Sequence, residues 1–407
     1  MRAKRLGLMQ EVDFLVVGCG PAGGTAAREA ARAGVETLVL ERDPVIGAKR
    51  VCAAGLRPGF CEDFDLPRSI VHCDPPTIAV RGLSGRRYDF ATAGSAHTTT
   101  REELDGTIAA LALKEGARIE TQVLFRNYVA DGERTIVEYA DLRTGERRKV
   151  RARSVLLAQG SSARFAPQTP LDYDAWSSGL ITCYQYRVYL DRPAIDETYR
   201  ILEMHYYLTK SGRNVIAWMF PKRDHLSIGL GIQGKYSGKD LRAELDAFLP
   251  TVQERLFPGI GYTVREEGNL LYGGAPRPHI SHGNVMVAGT AAGLVDATTG
   301  EGIYEAAFSG RLAAQAVADA RLGRTTAPAQ SYEKALKGVF YGRLRHRHKL
   351  MTFLERKPIR FDVLFEQLAR TPRFATMLQR DRNDFSLGEW MYLYAQAALF
   401  SISAIRA

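Results

Sequence analysis

The residues with the clearest chemical spacing lie near the start of the chain, in VDFLVVGCGPAGGTAAREAARAGVETLVLERD (residues 12–43). Gly18, Gly20 and Gly23 follow G-x-G-x-x-G spacing, in which the first glycine permits a tight turn and the second lets the backbone approach a pyrophosphate. The third lets a helix pack closely on a strand, and the N-terminus of that helix offers free N–H groups to phosphates. Glu41 follows about 20 residues later, where an acid accepts hydrogen bonds from an adenosine ribose. The pattern predicts a bound dinucleotide rather than a glycine-rich turn without a ligand.

The elements around these residues agree with that prediction. A buried apolar strand precedes Gly18, an alanine-rich helix runs to Gly34, and a second apolar strand ends at Glu41. This strand, helix and strand order is that of a nucleotide-binding unit.

A second glycine triplet, Gly229, Gly231 and Gly234 in HLSIGLGIQGKYSG, has the same spacing in a different context. Its first two glycines fall inside an apolar strand, and the next helical pattern starts only at about Lys239, where Pro250 is expected to end it. We interpret the triplet as a strand with close backbone packing. One tightly bound dinucleotide favours FAD over a nicotinamide.

A third glycine-rich segment, VAGTAAGLVDATTGEGIYEAAFSG, spans Val287–Gly310. Its glycines surround the end of one apolar strand, and an alanine-rich helix follows. Glu301 lies between two of these glycines. Backbone without side chains indicates a close approach, either to a planar ligand or only to other parts of the protein.

The composition is that of an ordinary globular protein. The 407 residues are 45% hydrophobic and 25% charged, which fits two or three folded units. No apolar signal core follows the basic start, so we expect a cytoplasmic protein. The five cysteines are odd in number and form no C-x-x-C pair, which predicts reduced thiols and neither a disulfide framework nor a metal site.

The net charge of +10 suggests an anionic partner, and much of the excess lies in YGRLRHRHKL (341–350) and ERKPIRF (355–361). Nucleic acid is disfavoured because no recognition motif accompanies the charge. An anionic membrane surface and a solvated basic face both remain open.

The C-terminal segment LGEWMYLYAQAALFSISAI (387–405) is apolar but short for a membrane span, and it contains Gln396. Trp390, Tyr392 and Tyr394 cluster at one end, as interfacial aromatics do. The segment predicts either a helix lying in a membrane surface or a helix packed on the core or on a second subunit.

The order of elements predicts an α/β fold with interleaved domains. A Rossmann-like dinucleotide-binding domain is expected to comprise residues 1–76, 98–168 and 278–326. A mostly antiparallel sheet domain that binds substrate comprises residues 77–97 and 169–277. Residues 327–407 form a helical C-terminal region.

Five segments resemble the geranylgeranyl reductase family, within the wider p-hydroxybenzoate hydroxylase type of FAD enzymes. They are VVGCGPAGGTAA, AKRVCAAGL, TTTREELDGTIAALALKEGARI, IAWMFPK and GTAAGLVDATTGEGI. The resemblance runs from residue 12 to residue 315.

The resemblance implies that Gly289 to Gly293 pass the ribityl chain and pyrophosphate of FAD, while Gly300, Glu301 and Gly302 begin a helix at the flavin pyrimidine edge. A helix N-terminus there would stabilise the negative charge of a reduced flavin. The other cofactor-binding residues that we expect are Ala22, Arg42, Arg101, Thr290 and Ile303.

The family chemistry would be hydrogenation of isolated C=C bonds in geranylgeranyl chains carried by a lipid, a quinone or a diphosphate. Reduced flavin N5 supplies a hydride, and an acid supplies a proton. Cys52 resembles the family's active-site cysteine and is expected to be a proton donor or pocket gate, the alternative being a small buried hydrophobe. Trp218, Phe220 and Pro221 would line a prenyl channel with Lys222 at its mouth, the alternative being a core strand with a surface lysine.

Four positions depart from the related patterns. Thr290 replaces an aspartate, Ala297 a proline and Ile216 a tyrosine, while Gln159 replaces the aspartate of an Asp-Gly pair in the hydroxylases. The last change weakens the alternative of an FAD monooxygenase or halogenase acting on an aromatic or polyketide substrate. A membrane scaffold, either flavin-binding or flavin-free, is a third hypothesis.

The partners expected from this interpretation are a prenyl-lipid or other isoprenoid substrate and an external electron donor, which is NAD(P)H, ferredoxin or another reductant. Peripheral contact with the inner face of a membrane is the second expectation. Nucleic acid is not an expected partner.

Overall fold

A computed structural model describes residues 9–48, 51–91, 96–162, 173–191, 195, 199–233, 236–379 and 386–406. The chain forms two compact units, each made of three separated stretches. Unit 1 comprises Met1–Val71, Thr99–Ile181 and Leu270–His348, and unit 2 comprises His72–Thr98, Thr182–Asn269 and Lys349–Ala407. The domain limits expected from the sequence stay a prediction.

Unit 1 is built on a mostly parallel sheet. Phe14, Leu15 and Val16 of its first strand are completely buried, as expected where helices cover both faces of a parallel sheet. The strands follow the order β16-β17-β10-β1-β2-β7, and β9 joins β8 to β10. Their bounds are β1 Gln10–Val17, β2 Thr37–Leu40, β7 Arg118–Glu120, β8 Val123–Asp131, β9 Arg134–Asp141, β10 Arg147–Leu157, β16 Ser281–His282 and β17 Val285–Val287.

The helices of unit 1 pack through small residues. A Cβ added at Gly310 would lie 2.0 Å from the backbone oxygen of Ala22, so α1 and α6 touch backbone to backbone. The helices that lie wholly in this unit are α1 Pro21–Arg32, α2 Phe60–Asp63, α3 Arg101–Lys114, α4 Tyr173–Ser178, α6 Ile303–Arg321 and α7 Pro328–Leu336. A short strand, β3 (Gly55–Leu56), precedes α2.

Unit 2 is built on a seven-stranded sheet of order β15-β11-β14-β13-β12-β4-β5, antiparallel along β11-β14-β13-β12 and parallel between β12 and β4. Val215, Ala217 and Met219 alternate inward on β13 and are buried, which is the period of a half-buried strand. The strands are β4 Thr77–Arg81, β5 Arg87–Ala91, β11 Leu180–Leu190, β12 Ile201–Leu208, β13 Asn214–Pro221, β14 Leu226–Gln233 and β15 Tyr262–Tyr272, and β6 is the short strand His97–Thr98.

The helix α5 (Gly238–Leu256) corrects one expectation, since it continues through Pro250. The Thr251 hydroxyl donates to the backbone oxygen of Phe248, 2.7 Å away, and the buried side chains of Leu245, Leu249 and Val252 hold the helix on both sides of the proline. Tertiary packing therefore outweighs the loss of one helical hydrogen bond.

The C-terminal region is helical, as the sequence indicates. Its first residues belong to unit 1, and those from Lys349 belong to unit 2. Helices α8 Gly342–Arg356, α9 Arg360–Arg370, α10 Pro372–Gln379 and α11 Leu387–Arg406 follow α7. None of the helices in the described part of the chain has both the length and the apolarity to cross a bilayer. The predicted α/β fold class is confirmed.

Candidate functional site

The first glycine loop (residues 18–23) leaves the carboxyl end of β1, and each glycine has a steric reason. Gly18 has a φ of +95°, which side chains rarely adopt, and a Cβ there would lie 2.6 Å from the oxygen of Ala158. A Cβ at Gly23 would lie 1.9 Å from the backbone oxygen of Gly18. The loop therefore excludes side chains where a ligand's phosphates are expected.

The N-terminus of α1 lies directly behind this loop. Gly20 is the N-cap, no side chain caps it, and Pro21 brings no N–H of its own. The N–H groups of Ala22 and Gly23 are thus available in the first turn, which favours an anion.

Glu41 ties the first glycine loop to the end of β2. One of its carboxylate oxygens accepts from the Cys19 N–H at 2.7 Å and the other from the Asp43 N–H at 2.9 Å. Burial raises the pKa of Glu41, although these two N–H groups oppose the rise. Each oxygen keeps a second lone pair for a ribose hydroxyl. Arg42 is half exposed and pairs with Asp43 at 3.2 Å.

Next to this loop, the side-chain oxygen of Gln159 is buried and makes no hydrogen bond to any other described residue. A buried acceptor without a partner costs roughly 1–3 kcal/mol, so a donor from a bound group fits there. Together with the uncapped helix, this residue indicates that unit 1 fits a dinucleotide.

Arg101 and Cys52 lie together beside the first glycine loop. The Arg101 guanidinium binds Asp105 through Nε at 2.9 Å and Nη2 at 2.5 Å, and it interacts electrostatically with the Cys52 thiol. Burial opposes its charge, but Asp105 and then Cys52 raise the pKa of Arg101 above its ordinary value. A Cβ at Gly20 would lie 3.2 Å from Nη2. Arg101 does not cap α3, because the Thr100 hydroxyl accepts from the Glu103 N–H.

The Cys52 loop (residues 51–57) is conformationally unusual. Val51 is completely buried and Cys52 is partly exposed. Ala54 has a φ of +46°, which is rare for a residue with a side chain, and its oxygen accepts from the Thr99 N–H at 3.0 Å. Such backbone strain costs roughly 1–3 kcal/mol and concentrates at functional sites.

The late glycine loop (residues 288–302) lies against the start of α1. A Cβ at Gly289 would lie 3.2 Å from the Cβ of Ala306 and 3.3 Å from that of Ala22. Gly293 has a φ of +74° and faces the Tyr272 ring, and the Trp176 indole N–H donates to the Thr290 oxygen at 3.3 Å. The two glycine segments, far apart in sequence, are therefore neighbours in unit 1.

Glu301 lies at the end of this loop, between Gly300 and Gly302, just before Ile303 opens α6. Its carboxylate lies 3.4 Å from Arg57 Nε, and the Arg57 guanidinium stacks on the Tyr304 ring at 4.0 Å. The partial burial of its side chain, followed by the Glu305 carboxylate, raises the pKa of Glu301 to about 7, against the opposing effect of Arg57.

Further charges surround Glu301. Glu305 is completely buried and pairs with Arg343, while Asp296 pairs with Arg347 at 3.3 Å. The second carboxylate oxygen of Glu305 has no hydrogen-bond partner among the described residues.

The residues expected to bind substrate lie in unit 2. Trp218 is 7% exposed, its indole N–H donates to the Gln185 side-chain oxygen at 3.2 Å, and its ring occupies the space above Gly229. Phe220 is partly exposed, and Pro221 is buried and accepts from Thr98.

Lys222 differs from the expected surface position at a channel mouth. Its side chain is 1% exposed, so it is a buried residue of unit 2. The histidines nearby are packed residues, since His205 binds Glu203 at 3.0 Å and His225 binds Asp224 at 2.8 Å.

Three contributing residues escaped the sequence analysis. Asp105 was detectable from its i, i+4 spacing to Arg101. Arg57 and Gln185 had no local signal, because their partners Glu301 and Trp218 are distant in sequence. Lys49, Arg50 and Gly234 lie outside the described residues.

The parallel sheet, the two glycine segments and the uncapped helix of unit 1 define a flavoprotein oxidoreductase. The described residues contain no group of three or more His, Cys, Asp or Glu side chains that could hold a metal, and the cysteines are free.

Comparison with known proteins identifies the family. No family model matches the chain. A digeranylgeranylglycerophospholipid reductase of Methanosphaerula palustris is 31% identical over 75% of this chain and 76% of that protein. A geranylgeranyl diphosphate reductase of Rhodobacter capsulatus is 29% identical over 75% and 74%. The chain belongs to the geranylgeranyl reductase family, which confirms the resemblance found in the sequence.

Solved structures share the fold. A geranylgeranyl bacteriochlorophyll reductase-like protein of Thermoplasma acidophilum superposes with a TM-score of 0.74 at 24% identity, over 98% of both chains. A flavin-dependent brominase superposes with a TM-score of 0.70 at 17% identity, over 98% of this chain and 100% of that one.

Proposed function

We propose that this protein is an FAD-dependent reductase that hydrogenates isolated C=C bonds of geranylgeranyl or related isoprenoid chains on a lipid, quinone or diphosphate carrier. The observation that carries the proposal is the meeting, in unit 1, of the first glycine loop, the late glycine loop and the Arg101–Cys52 pair. The names of the family relatives support the substrate class.

FAD would be held by groups from both glycine segments. The N-terminus of α1 would bind the pyrophosphate, Glu41 the ribose, and the backbone of Gly289 to Gly293 the ribityl side. The remaining expected contacts are those of Arg101, Thr290 and the residues from Gly300 to Ile303. Bound FAD would supply the hydride, and the protein would supply position, a dry pocket and a proton.

Cys52 would act as proton donor or pocket gate. Arg101 is fixed by two hydrogen bonds to Asp105, so its positive charge stays next to the thiol. Trp218, Phe220 and Pro221 would contact the prenyl chain, and Lys222, which is buried in unit 2, would serve a phosphate or headgroup.

The test is anaerobic incubation of dithionite-reduced, FAD-loaded enzyme with geranylgeranyl diphosphate and, separately, with a digeranylgeranyl glycerophospholipid. We expect products heavier by two hydrogen atoms per saturated bond, measured by mass spectrometry. Ferredoxin and NAD(P)H are then compared as donors by the bleaching of the flavin spectrum.

The alternative function is an FAD monooxygenase or halogenase acting on an aromatic or polyketide substrate, which the shared brominase fold permits. Oxygen or halide incorporated into product under air, without anaerobic saturation, would replace the reductase proposal by this one. Purified protein that is colourless and gains no thermal stability from added FAD would instead support a scaffold.

Helix α11 supports peripheral contact with the inner face of an anionic membrane. Its exposed apolar side chains share one face, and the opposite face is buried through Leu393, Phe400 and Ala404. The exposed ones are Met391, Tyr394, Leu399, Ile402 and Ile405.

Positive charge adjoins the far end of this helix. Arg360 binds the Ala404 oxygen at 3.1 Å and the Phe353 oxygen at 2.7 Å, which brings the exposed Arg356 and Lys357 of the α8–α9 turn close to it. Apolar residues beside cations are the features that bind an anionic lipid surface.

We expect the protein to sediment with vesicles containing phosphatidylglycerol and not with pure phosphatidylcholine vesicles. Ile402→Glu should weaken that binding, whereas Leu322→Glu, at an exposed leucine of unit 1, should not. A concentration-dependent dimer that Ile402→Glu dissociates, without vesicle binding, would contradict the membrane proposal.

A further inference from the structure

Glu301 lies in a cluster of acidic and basic side chains that come from several elements of unit 1. Glu301 is held by Arg57 of the Cys52 loop, so one seven-residue loop carries Cys52 at one end and the partner of Glu301 at the other. The strained Ala54 lies between them. Two groups that can carry a proton are thus attached to the same loop.

Charges from every neighbouring element face Glu301. Glu305 comes from α6 and Asp296 from the late glycine loop, and both carboxylates disfavour a further negative charge. Arg57 from the Cys52 loop and Arg343 from α8 favour it.

Two more groups complete the surroundings. Arg347 of α8 is occupied by Asp296 at 3.3 Å. Tyr304 of α6 lies under Arg57 and interacts with Asp63 of α2. Arg343 is paired to Glu305 and Arg347 to Asp296, so among the described residues the ion-pair contact of Glu301 is the one with Arg57, at 3.4 Å.

We propose that Glu301 is a proton donor for the saturation of the double bond and that Arg57 positions it, an inference that rests on the proposed reductase function. Because the pKa of Glu301 is raised to about 7, a large fraction of the carboxyl groups carries a proton near neutral pH. A protonated acid beside the cofactor segments is the group that the reaction needs.

Bound reduced FAD would supply the hydride: its N5–H bond would break, and that electron pair would form one C–H bond of the product. The O–H bond of Glu301 breaks, and the π electron pair of the alkene binds that proton to form the second C–H bond. Glu301 is left as a carboxylate, and it regains a proton from water because 31% of its side chain is exposed.

The first test measures protonation without turnover. Infrared difference spectra of the oxidised FAD enzyme between pH 5.5 and 8.5 should contain one carboxyl C=O band that titrates near pH 7. Glu301→Gln should remove this band. Asp319→Asn should keep it, because Asp319 lies near the other end of the helix that Glu301 precedes, has a similar exposed fraction, 32%, and pairs with Arg324 in a surface contact.

The second test measures proton delivery in a single turnover of pre-reduced enzyme. The rate of alkene saturation by the wild-type enzyme should fall as pH rises through 7, and we call this fall the pH limb. Glu301→Gln should react roughly 10²-fold more slowly and should lack the pH limb. Arg57→Gln should move the limb to higher pH, because Arg57 lowers the pKa of Glu301, and Arg57→Lys should restore it. Asp319→Asn should match wild type.

The outcomes separate the two proposals. If the wild-type enzyme saturates no prenyl substrate, the proposed function is overturned, and with it the role of Glu301 as proton donor in that reaction. Active wild type with an unchanged pH profile in Glu301→Gln overturns the inference alone. The inference is also overturned if Cys52→Ala loses the pH limb and Glu301→Gln keeps it, because Cys52 is then the proton donor.

Discussion

Two glycine triplets with identical spacing have opposite purposes in the two units. In unit 1, a side chain at Gly23 would clash with the backbone of Gly18, so the glycines let these two backbone segments touch. No side chain caps the N-terminus of α1, which stays accessible to a ligand. In unit 2, a Cβ at Gly229 would lie 2.4 Å from the Trp218 ring, so the missing side chain makes room for an aromatic one. Spacing alone does not identify a phosphate loop; the element that follows does.

The largest effect is expected from Gly23→Ala, which breaks the unit 1 side of this comparison. The added methyl would lie 1.9 Å from a backbone oxygen that no rotamer change can move. We expect loss of FAD binding and a free energy of unfolding lower by about 3 kcal/mol. Flavin absorbance after gel filtration and urea denaturation measure both. Wild-type flavin content in this variant would contradict the steric account.

Glu203→Gln tests a part of unit 2 that has no cofactor role. Burial would raise the pKa of Glu203, but hydrogen bonds from His205 and Arg255 lower it to about 2. The ion pairs therefore stabilise the fold above the unfolded pKa of about 4.3, and this contribution is lost as pH falls toward 2. At pH 7 we expect a loss of about 2 kcal/mol, measured by urea denaturation.

The pH dependence supplies the control for that variant. The difference in unfolding free energy between wild type and Glu203→Gln should shrink between pH 5 and pH 3, while flavin content at pH 7 stays at the wild-type level. A difference that is independent of pH would show that Glu203 acts through packing.

Gly229→Ala breaks the unit 2 side of the comparison. The methyl group must displace the Trp218 ring, so we expect a shift in tryptophan fluorescence. The affinity for the prenyl substrate should fall roughly tenfold, and the flavin content should not change. The loss of stability should be about 1–2 kcal/mol.

A double-mutant cycle sharpens this result. In a Trp218→Leu background, Gly229→Ala should cost almost nothing, which gives a coupling energy of at least about 1 kcal/mol. Additive effects of the two substitutions would show that Gly229 is required for a reason other than the ring.

Gly106→Ala should have the smallest effect, and it serves as the reference for a methyl group added to a glycine without a clash. Gly106 lies within α3, its φ is not positive, and an added Cβ would meet no other described atom within 4 Å. We expect a gain of up to about 1 kcal/mol in stability, because alanine loses less backbone entropy in a helix. A loss in thermal denaturation would indicate that this position contacts bound FAD or substrate.

The sequence predicted the parts of the site that depend on local spacing. The first glycine loop and Glu41 at the end of β2 lie within one strand, helix and strand unit. The i, i+4 spacing of Arg101 and Asp105 on α3 is also local, although only Arg101 was singled out. The fold class could also be predicted, because the order of apolar strands, glycine turns and helical patterns along the chain indicates which segments are buried.

The remaining parts depend on tertiary packing. Arg57 meets Glu301 and Gln185 meets Trp218 only after distant strands have paired, and no spacing reports such contacts. The burial of Lys222 and the helix through Pro250 were also invisible, because neighbouring layers override the usual preference of each residue type.

The three separated stretches of unit 1 have a consequence for its synthesis. Strand β10 pairs with β17, which is made only after most of unit 2. At about 5–20 residues per second, β17 leaves the ribosome roughly 15–55 s after β1. Until then β10 has an open, apolar edge that invites association with other nascent chains. We therefore expect the yield of soluble enzyme to depend on translation speed and on chaperone supply.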